Sequence, residues 1–197
     1  MSSQNRQVRV VRPFPIQTRG AEEADGAACY VEGYAARFNS PTMLFELDGT
    51  EYWEVIAPGA FDGADMEDVI FNYNHTGNVI ARTRNGTLEL TTDEEGLRMR
   101  ARVDGTVAGR QLYEEISGGY VDRMSFAFTI QEESYDNAEH LWTIQKVKRL
   151  YDVSAVDIPA YDDTSIAARR AAVEESQRAH QAALALDKRK IALKCKL

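Results

Sequence analysis

Residues 122–130, with the sequence DRMSFAFTI, alternate large apolar side chains with small or polar ones. Met124, Phe126 and Phe128 fall on one face of an extended chain and Ser125 falls on the other, because successive side chains of a β-strand point to opposite sides. The pattern predicts a strand whose apolar face lies in a core. It also places a serine hydroxyl on a rigid element, where an enzyme would hold a nucleophile.

Short runs of β-branched and aromatic residues recur between positions 29 and 156, with turn-forming residues between them. Asn85 and Gly86 predict a type I′ hairpin, since both residues tolerate the positive φ that this turn requires. Residues 80–84, 87–92 and 97–103 would then be antiparallel neighbours. The whole pattern predicts a mainly β fold with helices (α+β), in which about seven strands form a closed or nearly closed antiparallel β-barrel.

Two helices interrupt or follow this pattern. Residues 107–117 come after Thr106, whose hydroxyl can cap a first turn, and before a pair of glycines that would stop a helix. From Thr164 onward the chain is rich in alanine and lacks glycine and proline. This composition predicts a helix to about Ala185, with a basic tail after it.

The length of 197 residues indicates one domain of ordinary size. We expect an N-terminal arm over residues 1–27, the barrel domain over 28–168, and the C-terminal helix with its basic tail over 169–197. Within the arm, residues 8–14 predict an edge strand, because Pro13 cannot donate a hydrogen bond to a ladder.

Charge and composition exclude several classes of function. The chain has 23 basic and 31 acidic residues and a net charge of −8, which argues against a surface built for nucleic acid. Cys29 and Cys195 give neither a disulfide framework nor a metal-binding spacing, so we expect no metal and no cofactor, and a reducing, cytosolic setting. No run approaches about 18 apolar residues, and the N-terminus lacks the apolar stretch of a signal peptide, so we expect no membrane partner.

A serine hydroxyl becomes a strong nucleophile only when a neighbouring base takes its proton and a third group orients that base. His75 follows a predicted strand and precedes a turn, a common position for a catalytic group. His140 and His180 fall at a strand start and in the C-terminal helix, where a surface role is expected. Taken singly, a strand serine or a turn histidine is more often structural, so the interpretation of Ser125 depends on finding the whole set.

Six segments, in this order, resemble the prohead (capsid maturation) proteases of tailed bacteriophages, which are serine proteases related to the herpesvirus assemblins. They are VEGYAARFN (31–39), EVIAPGAFD (54–62), NYNHTGNVIAR (72–82), GTLELTTDEEGLRMRARV (86–103), DRMSFAFT (122–129) and YDVSAVDIPAYDDT (151–164). The resemblance covers about residues 30–168. It depends on six collinear matches, since a single short motif would carry no weight.

By this resemblance, the histidine of the Asn-His segment and the serine of the Met-Ser-Phe segment are the catalytic pair, His75 and Ser125. The family pattern has a glutamate just before the Val-Ser of the later strand. This chain has Asp152 there, whose side chain is one methylene shorter. Asp152 is therefore the expected third member of the triad, with Asp157 as its rival.

The resemblance also implies a function and partners. The chain would be a prohead maturation serine endopeptidase that cleaves scaffold or the scaffold-like segment of the major capsid protein, with the protease itself as a further substrate. It would act inside the assembling prohead, in the host cytoplasm, and a homodimer is left open. Arg169 and Arg170, with the Ala-rich tail, would form an exposed segment suited to packaging or self-trimming.

A different class of function remains as the alternative, namely a non-enzymatic capsid or scaffold-associated β-barrel that acts as a binding module. A large separation between Ser125 and His75 would favour it. A small-molecule esterase has no support, because no serine lies in a G-x-S-x-G elbow.

Overall fold

The computed structural model describes residues 7–20, 28–157 and 164–194. These residues form ten strands, two α-helices and one 3₁₀ turn, so the prediction of a mainly β fold with helices is confirmed. The elements are β1 (Gln7–Gly20), β2 (Cys29–Arg37), β3 (Thr42–Leu47), β4 (Thr50–Ile56), β5 (Ile70–Tyr73), β6 (Thr76–Arg82), the 3₁₀ turn (Thr83–Asn85), β7 (Leu88–Thr92), β8 (Gly96–Arg102), α1 (Val107–Ser117), β9 (Arg123–Asp136), β10 (Leu141–Val156) and α2 (Thr164–Lys194).

The strands form one large mixed sheet in the order β3-β4-β10-β9-β1-β2-β8-β7, while β5 pairs with β10 and with β6. Among the described residues, hydrogen bonds do not join β3 to β7, so the predicted closed antiparallel barrel of seven strands is not confirmed. The pairings of β10 with β4 and with β5 are parallel, and the others are antiparallel. Strand β10 can take two parallel partners because it is 16 residues long. Its first half pairs with β4 and its second half pairs with β5.

Strand β9 has the faces that its alternation predicted. Its apolar residues Met124, Phe126 and Phe128 are buried in the main core, where they lie with Val153 and Ala155 of β10. The opposite face is covered as well, since Ala127 and Thr129 are also buried. Strand β9 is therefore an interior strand that is enclosed on both faces, and a polar group on its second face is held away from bulk water.

Strand β1 is not the predicted edge strand, because it pairs with β9 on one side and with β2 on the other. The ladder with β9 shifts register between Arg12 and Pro15. Pro13 lies in that interval, and a residue without an amide hydrogen fits an interruption of this kind. Proline therefore marked a bulge in an interior strand.

The turn chemistry at Asn85 and Gly86 was also predicted wrongly. The chain makes a 3₁₀ turn that ends at Gly86, which has φ 72°. Strand β7 pairs with β8 as predicted, but no ladder joins β6 to β7 among the described strands. Thr83 stays bonded to the residue before β5, since its N donates to Val69 O at 3.0 Å and its hydroxyl accepts from Val69 N at 2.9 Å.

Helix α1 has the predicted bounds, and Thr106 caps it by accepting a hydrogen bond from Gly109 N at 2.9 Å. Its C-terminal end leads through two glycines into β9. Helix α2 continues past the predicted end near Ala185 to Lys194, in agreement with the absence of glycine and proline from that stretch. The predicted basic tail is thus helical as far as Lys194, and residues 195–197, including Cys195, lie outside the described residues.

Candidate active site

Ser125 lies on β9 directly opposite Ser154 of β10 in the antiparallel ladder. Paired residues of neighbouring strands project to the same side of a sheet, so both hydroxyls lie on the face opposite the main core. Both serines are 0% exposed. The hydroxyl of Ser125 is therefore fixed by an interior strand that has a hydrogen-bonded neighbour on each side.

His75 is delivered by the two-residue turn between β5 and β6. Asn74 and His75 have φ values of 52° and 57°, as a type I′ turn requires, and asparagine and histidine are among the residues that tolerate this region best. The turn is tied to the end of β10, because Asn74 N donates to Ala155 O at 2.9 Å and Asn74 Oδ1 accepts from Asp157 N at 3.4 Å. The imidazole thus projects from a turn that is anchored at its tip.

The structure brings together the three side chains that the sequence singled out. His75 Nε2 lies 2.6 Å from Ser125 Oγ, and His75 Nδ1 lies 2.6 Å from Asp152 Oδ1. The side chains of His75 and Asp152 are only 7% and 9% exposed. One imidazole therefore bridges a serine hydroxyl and a carboxylate in surroundings that largely exclude water.

The rival carboxylate and the other described histidine have different partners. Asp157 is exposed, and its Oδ2 accepts a hydrogen bond from Tyr73 OH at 2.9 Å. Burial, with a further contribution from this bond to Asp157, raises the pKa of Tyr73 and keeps its hydroxyl protonated as a donor. His140 Nδ1 lies 3.2 Å from Tyr135 OH. The side chain of His180 lies outside the described residues.

Sequence reasoning missed two polar residues that adjoin the carboxylate. Ser154 Oγ lies 2.9 Å from Asp152 Oδ1 and 3.1 Å from His75 Nδ1, and it hydrogen-bonds Asn72 as well. Asn72 is 4% exposed. A signal for Ser154 was present, since residues two apart in a strand share a face and Ser154 is two positions after Asp152. Asn72 could not be found in this way, because its approach depends on the parallel pairing of β5 with β10.

The geometry assigns the protons of the histidine. A carboxylate can only accept, so His75 Nδ1 carries the hydrogen that is donated to Asp152. His75 Nε2 then has a free lone pair and accepts from the hydroxyl of Ser125. In this arrangement the imidazole is ready to remove the serine proton, and the carboxylate is placed to stabilise the imidazolium that results.

The described part of the chain contains neither a candidate metal-binding cluster nor a helix that could span a membrane. Over residues 7–20, 28–157 and 164–194 there is no group of three or more His, Cys, Asp or Glu side chains that could hold a metal ion. No helix in those ranges is both long enough and apolar enough to cross a membrane.

Comparison with known proteins finds a matching family model and similar solved structures. A family model described as caudovirus prohead serine protease matches residues 14–179, a range that includes His75, Ser125 and Asp152. Among solved structures, the bacteriophage T4 capsid assembly protease is similar, with a TM-score of 0.53 and 13% sequence identity over 78% of this chain and 98% of that chain. At this identity the likeness shows a shared fold. No curated protein matches the chain.

Proposed function

Because the chain belongs to the caudovirus prohead serine protease family, we propose that His75, Ser125 and Asp152 are the triad with which it cuts proteins during capsid maturation. The observation that carries this proposal is the bridging imidazole of His75. Its Nε2 lies 2.6 Å from Ser125 Oγ, and its Nδ1 lies 2.6 Å from Asp152 Oδ1. Nucleophile, base and orienting group come from β9, the β5–β6 turn and β10. A chance contact of surface residues would not be held by three elements in a buried site.

In the first half of the reaction, Ser125 Oγ attacks the carbonyl carbon of the scissile peptide bond while His75 Nε2 takes the hydroxyl proton. The resulting tetrahedral intermediate collapses when the imidazolium returns that proton to the leaving amine. The carbon–nitrogen bond breaks, and the N-terminal part of the substrate stays attached to Ser125 as an ester. In the second half, water attacks the ester carbonyl while His75 Nε2 takes its proton. The bond from the carbonyl carbon to Ser125 Oγ then breaks, and the imidazolium returns the proton to Oγ.

Asp152 holds the imidazole in the tautomer that this sequence needs and stabilises the positive charge that develops on it. The aspartate is one methylene shorter than the glutamate of the family pattern. Its carboxylate nevertheless lies 2.6 Å from Nδ1, from a position opposite Ile70 in the parallel ladder that joins β10 to β5, the strand that leads into the histidine turn.

We propose as substrates the scaffold protein or the scaffold-like segment of the major capsid protein, with the protease itself as a further substrate. This choice rests on the family, whose members act in the prohead, the precursor of the capsid. The proposed place of action is the assembling prohead in the host cytoplasm. A homodimer stays a prediction.

The alternative of a non-enzymatic binding module depended on a large distance between Ser125 and His75. That separation is 2.6 Å between the reacting atoms, and the family is one of serine proteases. No observation favours the alternative.

The test is co-expression of the full chain with the major capsid protein, followed by mass measurement of the capsid subunit. We expect the wild type to shorten the subunit and Ser125→Ala to leave it intact, since loss of the nucleophile costs on the order of 10⁶-fold in such enzymes. Ser134→Ala is the matched control, because Ser134 is an exposed serine on the same strand. Continued cleavage by a folded Ser125→Ala protein would refute the triad.

A further inference from the structure

The carboxylate of the triad is itself held by a buried polar pair. Ser154 Oγ lies 2.9 Å from Asp152 Oδ1 and within hydrogen-bond distance of Asn72 Oδ1. Ser154 is completely buried and Asn72 nearly so. Leaving a polar group unsatisfied in such surroundings costs free energy, so the hydrogen bonds of these two residues determine one another.

Counting protons fixes the direction of these bonds. The hydroxyl of Ser154 has one proton and can donate to Asp152 or to Asn72, but not to both at once, and it cannot donate to His75 Nδ1 at 3.1 Å because that nitrogen already carries a hydrogen. A bond to the ionised carboxylate is stronger than a bond to a neutral amide oxygen, so the proton belongs to Asp152. Turning the amide of Asn72 by 180° exchanges its oxygen and nitrogen, and Nδ2 can then donate to Ser154 Oγ. All three groups are satisfied in this arrangement.

We propose that Asn72 and Ser154 are positioning residues of the protease, in which Asn72 Nδ2–H donates to Ser154 Oγ and Ser154 Oγ–H donates to Asp152 Oδ1. This inference rests on the triad of the proposed function. The chain of donors keeps Asp152 Oδ1 facing His75 Nδ1 and leaves the nucleophile side of the imidazole untouched. Neither residue contacts the atoms that react.

The strand register explains why the two residues act together. In the parallel ladder between β10 and β5, Ser154 lies opposite Asn72 and Asp152 lies opposite Ile70. Asp152 and Ser154 are two residues apart and share a face, so the backbone brings the hydroxyl beside the carboxylate. A free aspartate can rotate about its Cβ–Cγ bond, and the donor from Ser154 selects the rotation that faces the histidine.

The test compares Ser154→Ala, Asn72→Ala and the double variant with the wild-type chain, using the rate of fluorophosphonate labelling of Ser125 and the steady-state cleavage of a capsid-subunit peptide. We expect Ser154→Ala to lower kcat about tenfold, as is typical for groups that orient a functional side chain, with KM unchanged. The double variant should lose no more than Ser154→Ala, since Asn72 acts through Ser154.

Thr129→Val is the matched control. The hydroxyl of Thr129 is buried on the same face of β9 as Ser125, but it bonds Tyr151 and not a residue of the triad. Rates are expressed per folded molecule, from the labelled fraction at completion, so that a loss of stability does not count as a loss of positioning. If Ser154→Ala does not fold, Asn72→Ala carries the same test. A labelling rate and a kcat equal to those of Thr129→Val would overturn this inference alone, whereas a Ser125→Ala protein that still cleaves would overturn the triad and this inference with it.

Discussion

Two buried acidic side chains in this molecule meet a basic partner from far along the chain, and only one of them lies in the proposed active site. Asp152 on β10 contacts His75, whereas Glu54 on β4 contacts Arg169 of α2 at 2.5 Å. The partners in both pairs are at most 12% exposed. Burial and short distance are therefore common to both pairs and do not distinguish catalysis from architecture.

The difference lies in the basic partner. Histidine can take and release a proton near neutral pH, and its second nitrogen serves Ser125, so the contact with Asp152 supports a change of charge. Arginine stays charged. The guanidinium of Arg169 also bonds Glu133 at 2.6 Å and lies 5.0 Å from the centre of the Trp142 ring. This second network fixes α2 to the sheet through a cation that keeps its charge.

The comparison predicts that breaking the pair of Asp152 and His75 lowers the activity and spares the fold. Asp152→Asn should slow cleavage by a factor of about 10 to 10⁴, because the amide favours the wrong tautomer of His75. Asp157→Asn is the matched control, since Asp157 accepts from Tyr73 and not from the histidine. Cleavage of the capsid subunit and the melting temperature should be measured for Asp152→Asn and Asp157→Asn, with Ser125→Ala as the reference for zero cleavage.

Asp152→Glu should be milder than Asp152→Asn, because it keeps the charge and restores the residue of the family pattern. If Asp157→Asn were inactive and Asp152→Asn active, the third position would move to Asp157, while the contact between His75 and Ser125 would stand.

Breaking the pair of Glu54 and Arg169 should lower the stability of the fold and leave the activity of the folded protein intact. Arg169→Ala leaves Glu54, which is fully buried, without its guanidinium, and the free energy of unfolding should fall by about 3–5 kcal/mol. The neighbouring Arg170 is the matched comparison, because it is exposed and pairs with Glu174 four residues on. Arg170→Ala should cost less than about 0.5 kcal/mol. Urea unfolding of both variants measures the difference in the free energy of unfolding. The folded fraction of each variant should react with a fluorophosphonate at Ser125 at the wild-type rate.

Equal losses for the two arginine variants would contradict the structural role of Arg169. The same contacts correct the expectation that Arg169 and Arg170 together form an exposed segment for self-trimming. Arg170 is exposed, but Arg169 is enclosed between two carboxylates and an aromatic ring. Cleavage beside Arg169 would first require α2 to leave the sheet.

The parts of the fold that the sequence predicts are those set by local chemistry. The bounds of α1 follow from Thr106 and the glycines after it, and the faces of β9 follow from its alternation. Alternation specifies a face but neither a partner nor a direction, so the interior position of β1 and the parallel pairings of β10 were missed. A turn signal is ambiguous in the same way. The type I′ geometry expected at Asn85 occurs at Asn74 and His75.

For the site, the residue types and the resemblance singled out His75, Ser125 and Asp152, and the structure places them within hydrogen-bond distance of one another. Their catalytic roles stay a proposal. The link from Glu54 to Arg169 joins residues 115 positions apart and has no local signature, so it could not be predicted. Contacts of this kind depend on where a helix docks, and the amphipathic pattern of α2 is too weak to show which face does so.

The smallest effect is expected from the end of the same helix. Val173 packs against the second apolar cluster, formed by Leu44, Phe45, Leu47 and Tyr52, and Gln177 contacts Tyr52 OH at 3.5 Å. Residues 181–185 are exposed. The weak apolar pattern of the sequence from about Val173 onward predicts that these residues are dispensable for folding, whereas the contacts of Val173 and Gln177 move that boundary to about Arg178.

A chain that ends at Arg178 should therefore melt within about 1–2 °C of the full chain, because surface changes away from packed contacts have little effect on the free energy of unfolding. Val173→Ala in the full chain should cost about 1 kcal/mol, as expected for partial loss of a half-buried side chain. One substitution inside the contact region would then cost more than the removal of residues 179–197. Thermal unfolding of the shortened chain and of Val173→Ala tests this order of effects. A larger loss in the shortened chain would show that the distal part of α2 contributes to the core or to an interface between copies.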